Sequence, residues 1–331
     1  MRIALVGAGG MASVHAGCYE KIKNAELVGV MDIRQEAAET LALKFGAKAY
    51  TDFALMLHEL KPEVVDVCTP TPTHADYVCE AARSQGLRGV VTEKPMGRTL
   101  EDCERMISAC EASKVPLFVG HVVRFFPEFR AAHTQVKAGA VGKPAAVRTR
   151  RGGGMPRAWE DWYGDFSQSG GVILDLIIHD FDWLRWTFGE VERVYARGLG
   201  ESKLPAQDYA LVTLRFKSGA IAHVEGTWSD PGGFKVSFEV AGDEGLLEYN
   251  FNQPTSVPLK KALHSSGETK AAVAIPENPH NENPYQLELV HFLDCLEAGV
   301  APSITGQDGR EAVRIALAAI ESLQTGSPVT L

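Results

Sequence analysis

The stretch Ile3-Ala4-Leu5-Val6-Gly7-Ala8-Gly9-Gly10-Met11-Ala12 constrains this chain more than any other. Its continuous apolar run reads as a strand buried on both faces, as in a parallel sheet. The run enters a GxGxxA turn, and a helix follows over about 12–23. Leu27–Met31 is a second apolar run and ends on Asp32. Strand, glycine turn, helix, strand and terminal acid in this order make the dinucleotide-binding fingerprint in its required context. Gly7 permits the tight turn. Gly9, with Gly10 and Met11 beside it, lets the backbone approach a pyrophosphate seated on the helix N-terminus. Ala12 allows close helix–strand packing. Asp32, with its neighbour Ile33, is expected at the ribose, where it accepts hydrogen bonds from both hydroxyls and repels a 2′-phosphate. That favours NAD. Arg34, just beyond the strand, is able to receive a 2′-phosphate and leaves NADP open.

The alternation continues. Helices are expected over 35–45 and 52–60, then a strand over Val64–Cys68 that ends in Thr69-Pro70-Thr71-Pro72-Thr73-His74. The prolines keep this loop non-helical until a helix starts near Ala75. A strand over Gly89–Thr92 ends at Glu93-Lys94-Pro95, and a helix over 99–113 and a strand over Leu117–Val119 follow. Strands alternating with helices give a doubly wound parallel, Rossmann-type sheet. Ligands of such sheets bind outside the carboxyl ends of the strands. Gly7–Ala12, Asp32, Thr69–His74 and Glu93–Pro95 all lie there, so four loops are expected to line one crevice. Lys94 stands at a strand end in that crevice. Its charge suits a developing alkoxide, and Glu93 is expected to hold its ammonium group.

The character changes near Gly120. A helix ends near Gly139, Ala145–Arg151 reads as a strand, and 152–171 is rich in glycine and aromatics. That stretch carries Arg157, Trp159, Trp162, Tyr163 and Asp165, suited to recognising a polar ligand. From Ser169 and Gly170-Gly171 a helix is expected to run to Trp186. Leu174, Ile177, Ile178, Phe181 and Leu184 form its apolar surface, and Asp175, His179 and Asp182 share one polar face. The bland alternative is a solvated face with an ordinary Asp–His pair. Beyond it the period switches to strands over 191–198, 208–217, 220–229, 235–241 and 245–251. Tight turns at Lys217-Ser218-Gly219 and Gly242–Gly245 imply an antiparallel sheet of sequential neighbours. Residues 253–283 are polar and proline-bearing, and helices over 285–298 and 309–325 close the chain. The expected organisation is a dinucleotide-binding domain over 1–120 and a substrate-binding and oligomerisation α+β domain over 121–331. The last helix is able to pack back on the first domain. The acid–base helix is expected to meet the first domain's crevice, since sites commonly form at domain junctions.

A net charge of −9 argues against a nucleic-acid partner. The six cysteines form no CxxC pair and fall mostly in apolar patterns, as buried thiols do. No signal peptide or membrane span is read, and a cytoplasmic protein without a membrane partner is expected.

Taken together these residues resemble the glucose–fructose oxidoreductase, inositol dehydrogenase and rhizopine-catabolism family (Gfo/Idh/MocA). The resemblance runs through nearly the whole chain and rests on Gly7–Ala12, the loop Pro70–His74, Glu93-Lys94-Pro95 and Ser169–Asp182. It implies an NAD(P)-dependent dehydrogenase of a cyclic polyol or sugar. Asp175 and His179 are similar to that family's catalytic acid and histidine, and Arg124 to an arginine its inositol dehydrogenases present to substrate. Arg157 and Trp162 are added as substrate-loop candidates, and Thr69, Pro70 and His74 as cofactor-loop candidates. In this reading His179 is the general base, titrating near neutrality as histidines do. Lys94 stabilises the oxyanion and Asp175 orients. The resemblance also implies an open antiparallel sheet supporting homodimers or homotetramers, and no metal site. An NAD-dependent glycosidase using transient oxidation and a non-catalytic NAD-sensing regulator are the alternatives.

Overall fold

A computed structural model of the protein describes residues 1–199, 209–250 and 283–331. The polar stretch 253–283 lies outside them except for Asn283. Residues 1–125 and 283–313 form one unit, and the remaining described residues form a second. The single boundary at 120/121 expected from sequence puts Pro284–Ala298 in the second domain; in the structure this helix belongs to the first unit.

The first unit is built on six parallel strands: β1 (Arg2–Val6), β2 (Glu26–Met31), β3 (Lys48–Tyr50), β4 (Val64–Val67), β5 (Gly89–Glu93) and β6 (Leu117–Gly120). Their order in the sheet is β3-β2-β1-β4-β5-β6. The chain reverses direction across the sheet between β1 and β4, the switch point where such sheets bind ligands. β4, β5 and β6 are buried along their whole length, which explains their unbroken apolar runs. β3 was not expected; it has only three residues, and Lys48 and Ala49 are exposed, so no apolar run marks it. Helices start on side-chain caps: Asp52 accepts the Leu55 N–H at 2.9 Å, and Thr99 accepts that of Asp102 at 3.1 Å. Leu5, Ala12, Ala16, Val30, Leu41 and Ala42 pack as one core under the first two helices.

The second unit carries a seven-stranded sheet of β7 (Pro144–Gly152), β8 (Val191–Gly198), β9 (Tyr209–Phe216), β10 (Ile221–Thr227), β11 (Lys235–Gly242), β12 (Leu246–Asn250) and β13 (Val329–Thr330). The order is β12-β11-β7-β10-β9-β8-β13. The two hairpins expected at Ser218-Gly219 and Asp243-Glu244 join antiparallel pairs. β10 and β11, though sequential, are not paired. β7 inserts between them, parallel to β10 and antiparallel to β11, so the sheet is mixed. Pairing β7 with a strand about 75 residues away is a non-local choice that turn chemistry does not reveal. One face is apolar, with Val212, Leu214, Phe216, Val224 and Val240 fully buried. Trp183 lies against that core with Phe129 and Phe238, and its Nε1–H donates to Phe129 O at 3.0 Å. The other face is polar, with Arg148 paired to Glu239 and Arg150 to Glu225.

Candidate functional site

The carboxyl ends of β1, β2, β4 and β5 bring the sequence candidates of the first unit to one sheet edge. Gly7 has φ +100°, and a Cβ there would stand 2.7 Å from Cys68 O. Only glycine lets the turn after β1 pass the end of β4 this closely. Its N–H donates to Met31 O at 2.7 Å, tying the turn to β2 as well. The helix Gly10–Tyr19 then starts with no side-chain cap and no acid in its first turn. Gly9 and Gly10 are exposed, and a Cβ on Gly9 would meet nothing within 4 Å. Open space before uncapped helix N–H groups fits a pyrophosphate, so the chain's residues suit a dinucleotide here. Met11 is half-buried and packs on the underlying core.

Asp32 is buried and heavily engaged. Oδ2 accepts the Ala8 N–H at 2.8 Å and Arg34 Nη2 at 2.9 Å. Oδ1 accepts the Arg34 N–H and Nε, each at 2.9 Å. Burial alone would raise its pKa, but the Arg34 side chain and the backbone donors outweigh it and hold the carboxyl below the usual range. Ile33 is 63% exposed beside it.

The loop after β4 is braced from within. Thr73 Oγ1 lies 2.8 Å from both Thr69 Oγ1 and Pro70 O. His74 is buried, with Nε2 2.8 Å from Thr69 O and Nδ1 3.0 Å from Pro95 O. Its ring therefore ties this loop to the turn after β5, and burial draws its pKa down against the pull of those carbonyls. Thr69, Pro70 and Lys94 are half-buried. Sequence led to the expectation that Glu93 holds the Lys94 ammonium group; instead its carboxylate faces the Lys94 main chain and His15. Its Oε2 accepts the Lys94 backbone N–H at 3.0 Å, and its Oε1 lies 3.0 Å from His15 Nε2. A strand-end glutamate buried with a histidine in reach settles against that ring.

Arg124 also lies in the first unit, 4% exposed. Nη1 donates to Ser303 O at 2.7 Å, and Nη2 is 3.3 Å from Asp308 Oδ1.

In the second unit the expected continuous helix is broken. A short helix, Phe166–Ser169, ends at Gly170, and both Gly170 and Gly171 have positive φ. Ser169 Oγ accepts the Gly171 N–H at 3.1 Å. A π-helical turn covers Val172–Leu176, marked by the Ile177 N–H donating to Val172 O at 3.0 Å, and an α-helix follows over Ile178–Phe188. The wide turn inserts a residue and shifts the helical phase, so Asp175 and His179 are not the regular i,i+4 pair expected from sequence. Such turns recur at functional sites. The polar residues here are not a solvated face: Asp175 is 5% and Asp182 1% exposed, with His179 half-buried. Arg157 is exposed, and Trp162 is half-buried and stacked on Tyr163 at 4.0 Å.

Sequence reasoning missed Asp180. It is 1% exposed and pairs with Arg151 of β7, Nε to Oδ2 at 2.6 Å, locking the helix to the sheet. It also missed His15 and Asp66, whose Nδ1 and Oδ2 are 2.8 Å apart in the first unit's interior. An aspartate within the apolar run of β4 was the available signal.

Two family models match this chain. Residues 1–121 match the oxidoreductase family's NAD-binding Rossmann fold, and residues 129–248 match the GFO/IDH/MocA C-terminal domain. The chain belongs to the GFO/IDH/MocA oxidoreductase family. Its first unit is an NAD-binding Rossmann domain. Among its relatives, myo-inositol 2-dehydrogenase of Thermotoga maritima is 32% identical, over 100% of this chain and 98% of that protein. The scyllo-inositol 2-dehydrogenase (NAD(+)) of Bacillus subtilis is 29% identical, over 100% and 96%. Among solved structures, GenD2 from gentamicin A biosynthesis, in complex with NAD, superposes with a TM-score of 0.87 at 25% identity, covering 100% and 96%. Among the described residues of this GFO/IDH/MocA member, no helix is long and apolar enough to cross a membrane.

Proposed function

We propose that this protein is an NAD-dependent dehydrogenase that oxidises a ring hydroxyl of a cyclic polyol of the inositol class, or of a closely similar sugar. The observation that carries the reading is the common sheet edge: Lys94 leaves β5 where the glycine turn leaves β1 and Asp32 leaves β2. A cation beside a dinucleotide's reactive end suits a substrate oxygen that gains negative charge. The names of the Thermotoga and Bacillus relatives support an inositol as that substrate.

Within this proposal Gly7, Gly9, Gly10 and Met11 seat the pyrophosphate, and Asp32, Ile33 and Arg34 border the adenosine ribose. Thr69, Pro70, His74 and Glu93 shape the rest of the cofactor edge, His74 and Glu93 by bracing it. Arg124, Arg157 and Trp162 recognise substrate hydroxyls. His179 takes the hydroxyl proton, Lys94 stabilises the alkoxide, and Asp175 orients His179 or a neighbouring hydroxyl. NAD, when bound, supplies the acceptor for the hydride that leaves the substrate carbon. The product is the ketone, with the proton left on His179. The outer face of the second unit's sheet, with Leu211 41% and Leu246 54% exposed among paired charges, supports a homodimer or homotetramer. Following NADH absorbance with myo-inositol, scyllo-inositol and a panel of aldoses tests the reading. No turnover above background with any cyclic polyol or sugar sinks it.

A further inference from the structure

Three ionisable residues stack inside the first unit with none exposed more than 5%: Asp66 of β4, His15 of the helix Gly10–Tyr19 and Glu93 of β5. His15 Nδ1 is 2.8 Å from Asp66 Oδ2, and Nε2 is 3.0 Å from Glu93 Oε1, close but out of line for a hydrogen bond. Tyr19 OH donates to Asp66 Oδ2 at 2.8 Å. Glu93 Oε2 then accepts the Lys94 N–H. Gly120 of β6 gives the carboxylate room, since a Cβ there would stand 3.2 Å from Oε1.

We propose that His15 is a positioning residue for Lys94: the Asp66–His15–Glu93 column fixes the main chain of Lys94 at the end of β5. The reasoning is electrostatic and geometric. Buried carboxylates persist only when paired. An imidazole flanked on both sides by carboxylates is held protonated, and a charged ring attracts Glu93 without needing an aligned bond. Burial alone would lower the His15 pKa; Cys68 and Asp66 beside the ring outweigh this and raise it well above the ordinary value. Burial pushes the nearby Cys68 thiol far up, which leaves the Asp66 carboxylate as the charge beside Nδ1. The Nδ1–Oδ2 spacing is that of a hydrogen bond. Atoms ligating a tetrahedral metal at about 2.0–2.2 Å would stand about 3.3–3.6 Å apart, wider than the 2.8 Å between Nδ1 and Oδ2, so the cluster of His15, Asp66 and Cys68 reads as a brace. With Glu93 drawn toward His15, its second oxygen is aimed back at the next residue's N–H. Lys94 is then set by the helix that the glycine turn begins.

The kinetic part of the test rests on the catalytic reading of Lys94; the exchange part does not. Hydrogen exchange of backbone amides is measured by NMR in the full chain and in His15→Asn and the isosteric Glu93→Gln. The Lys94 amide is expected to exchange about tenfold faster in both, with the β1 amides within about threefold of parental. With NAD and myo-inositol, His15→Asn is expected to lower kcat about tenfold with the NAD Kd within about threefold. In a Lys94→Ala background the same substitution should change kcat less than about twofold, because residues acting through one another are non-additive. Unchanged Lys94 exchange in either folded variant overturns the proposal, as does an equal loss of kcat in both backgrounds. If Lys94→Ala itself keeps parental kcat, the catalytic reading of Lys94 fails separately, and if no cyclic polyol or sugar is turned over the dehydrogenase reading fails separately; in either case exchange alone judges the column.

Discussion

Arg34 closes on Asp32 at two points, Nε to Oδ1 and Nη2 to Oδ2, both at 2.9 Å. With the backbone N–H groups of Ala8 and Arg34 added, four donors meet the carboxylate, about as many as its lone pairs accept. A ribose hydroxyl must therefore displace a donor, and the one that can swing away without moving the main chain is the Arg34 guanidinium. The pair also cancels the charge that would draw a 2′-phosphate.

NAD is accordingly expected to be preferred over NADP. Asp32→Ala should release Arg34 and raise the NADP-to-NAD ratio of kcat/KM by about tenfold or more, the range of one charge-assisted contact. Steady-state kinetics with both cofactors checks this. A parental enzyme more efficient with NADP would show that Arg34 governs the ribose pocket.

His179→Ala and Lys94→Ala should each lower kcat by about 10²–10⁴-fold, the usual cost of losing a general base or its electrostatic partner. Asp175→Ala should cost less than either, since water replaces an orienting group in part. NAD Kd for His179→Ala should stay parental, because His179 belongs to the second unit. Near-parental kcat in folded His179→Ala and Lys94→Ala would refute the catalytic assignment.

Asp180→Ala should destabilise the protein by about 3–5 kcal/mol, because it leaves Arg151, 2% exposed, as an unpaired buried charge. Replacing both partners, Arg151→Met with Asp180→Leu, should cost less than the single change. Urea unfolding of the second unit's signal measures both. A single-variant loss below about 1 kcal/mol would mean that water reaches Arg151.

The His15 column makes stability depend on pH. The folded pKa of His15 lies above the unfolded value of 6.5. The stabilisation is thus fully present below pH 6.5 and is lost as pH rises through the folded pKa. The groups facing the ring are Asp66, Glu93, Cys68 and Tyr19, with Tyr285 and Glu288 on the helix packed against it. The Tm difference between the parental protein and His15→Asn should be largest at pH 6 and shrink steadily above about pH 6.5. A difference that grows with pH would contradict a protonated ring.

A homo-oligomer built on the second unit's sheet is expected in solution. Sedimentation showing a concentration-independent species of 35.9 kDa would exclude it.

The sequence by itself determined the Rossmann domain and the edge where its ligand loops gather. The reason is local: every strand but the short β3 is marked by an apolar run, turns carry glycine, proline or a cap, and parallel βα alternation leaves one topology. Gly7, Asp32 and Lys94 were legible for the same cause, since a residue at a strand end is located by the strand. What only the tertiary structure decided depends on partners distant in the chain. The insertion of β7 between β10 and β11 joins strands that no turn connects. The π-helical turn at Val172–Leu176 packs where no local signal points: a Cβ on Gly226 of β10 would stand 2.4 Å from Ile177 Cγ2, just beyond the turn. Glu93 turns to His15 rather than to the neighbouring ammonium, and Asp180 finds Arg151, because buried charges settle on whatever opposite charge the fold brings within reach, and spacing along a chain does not encode that.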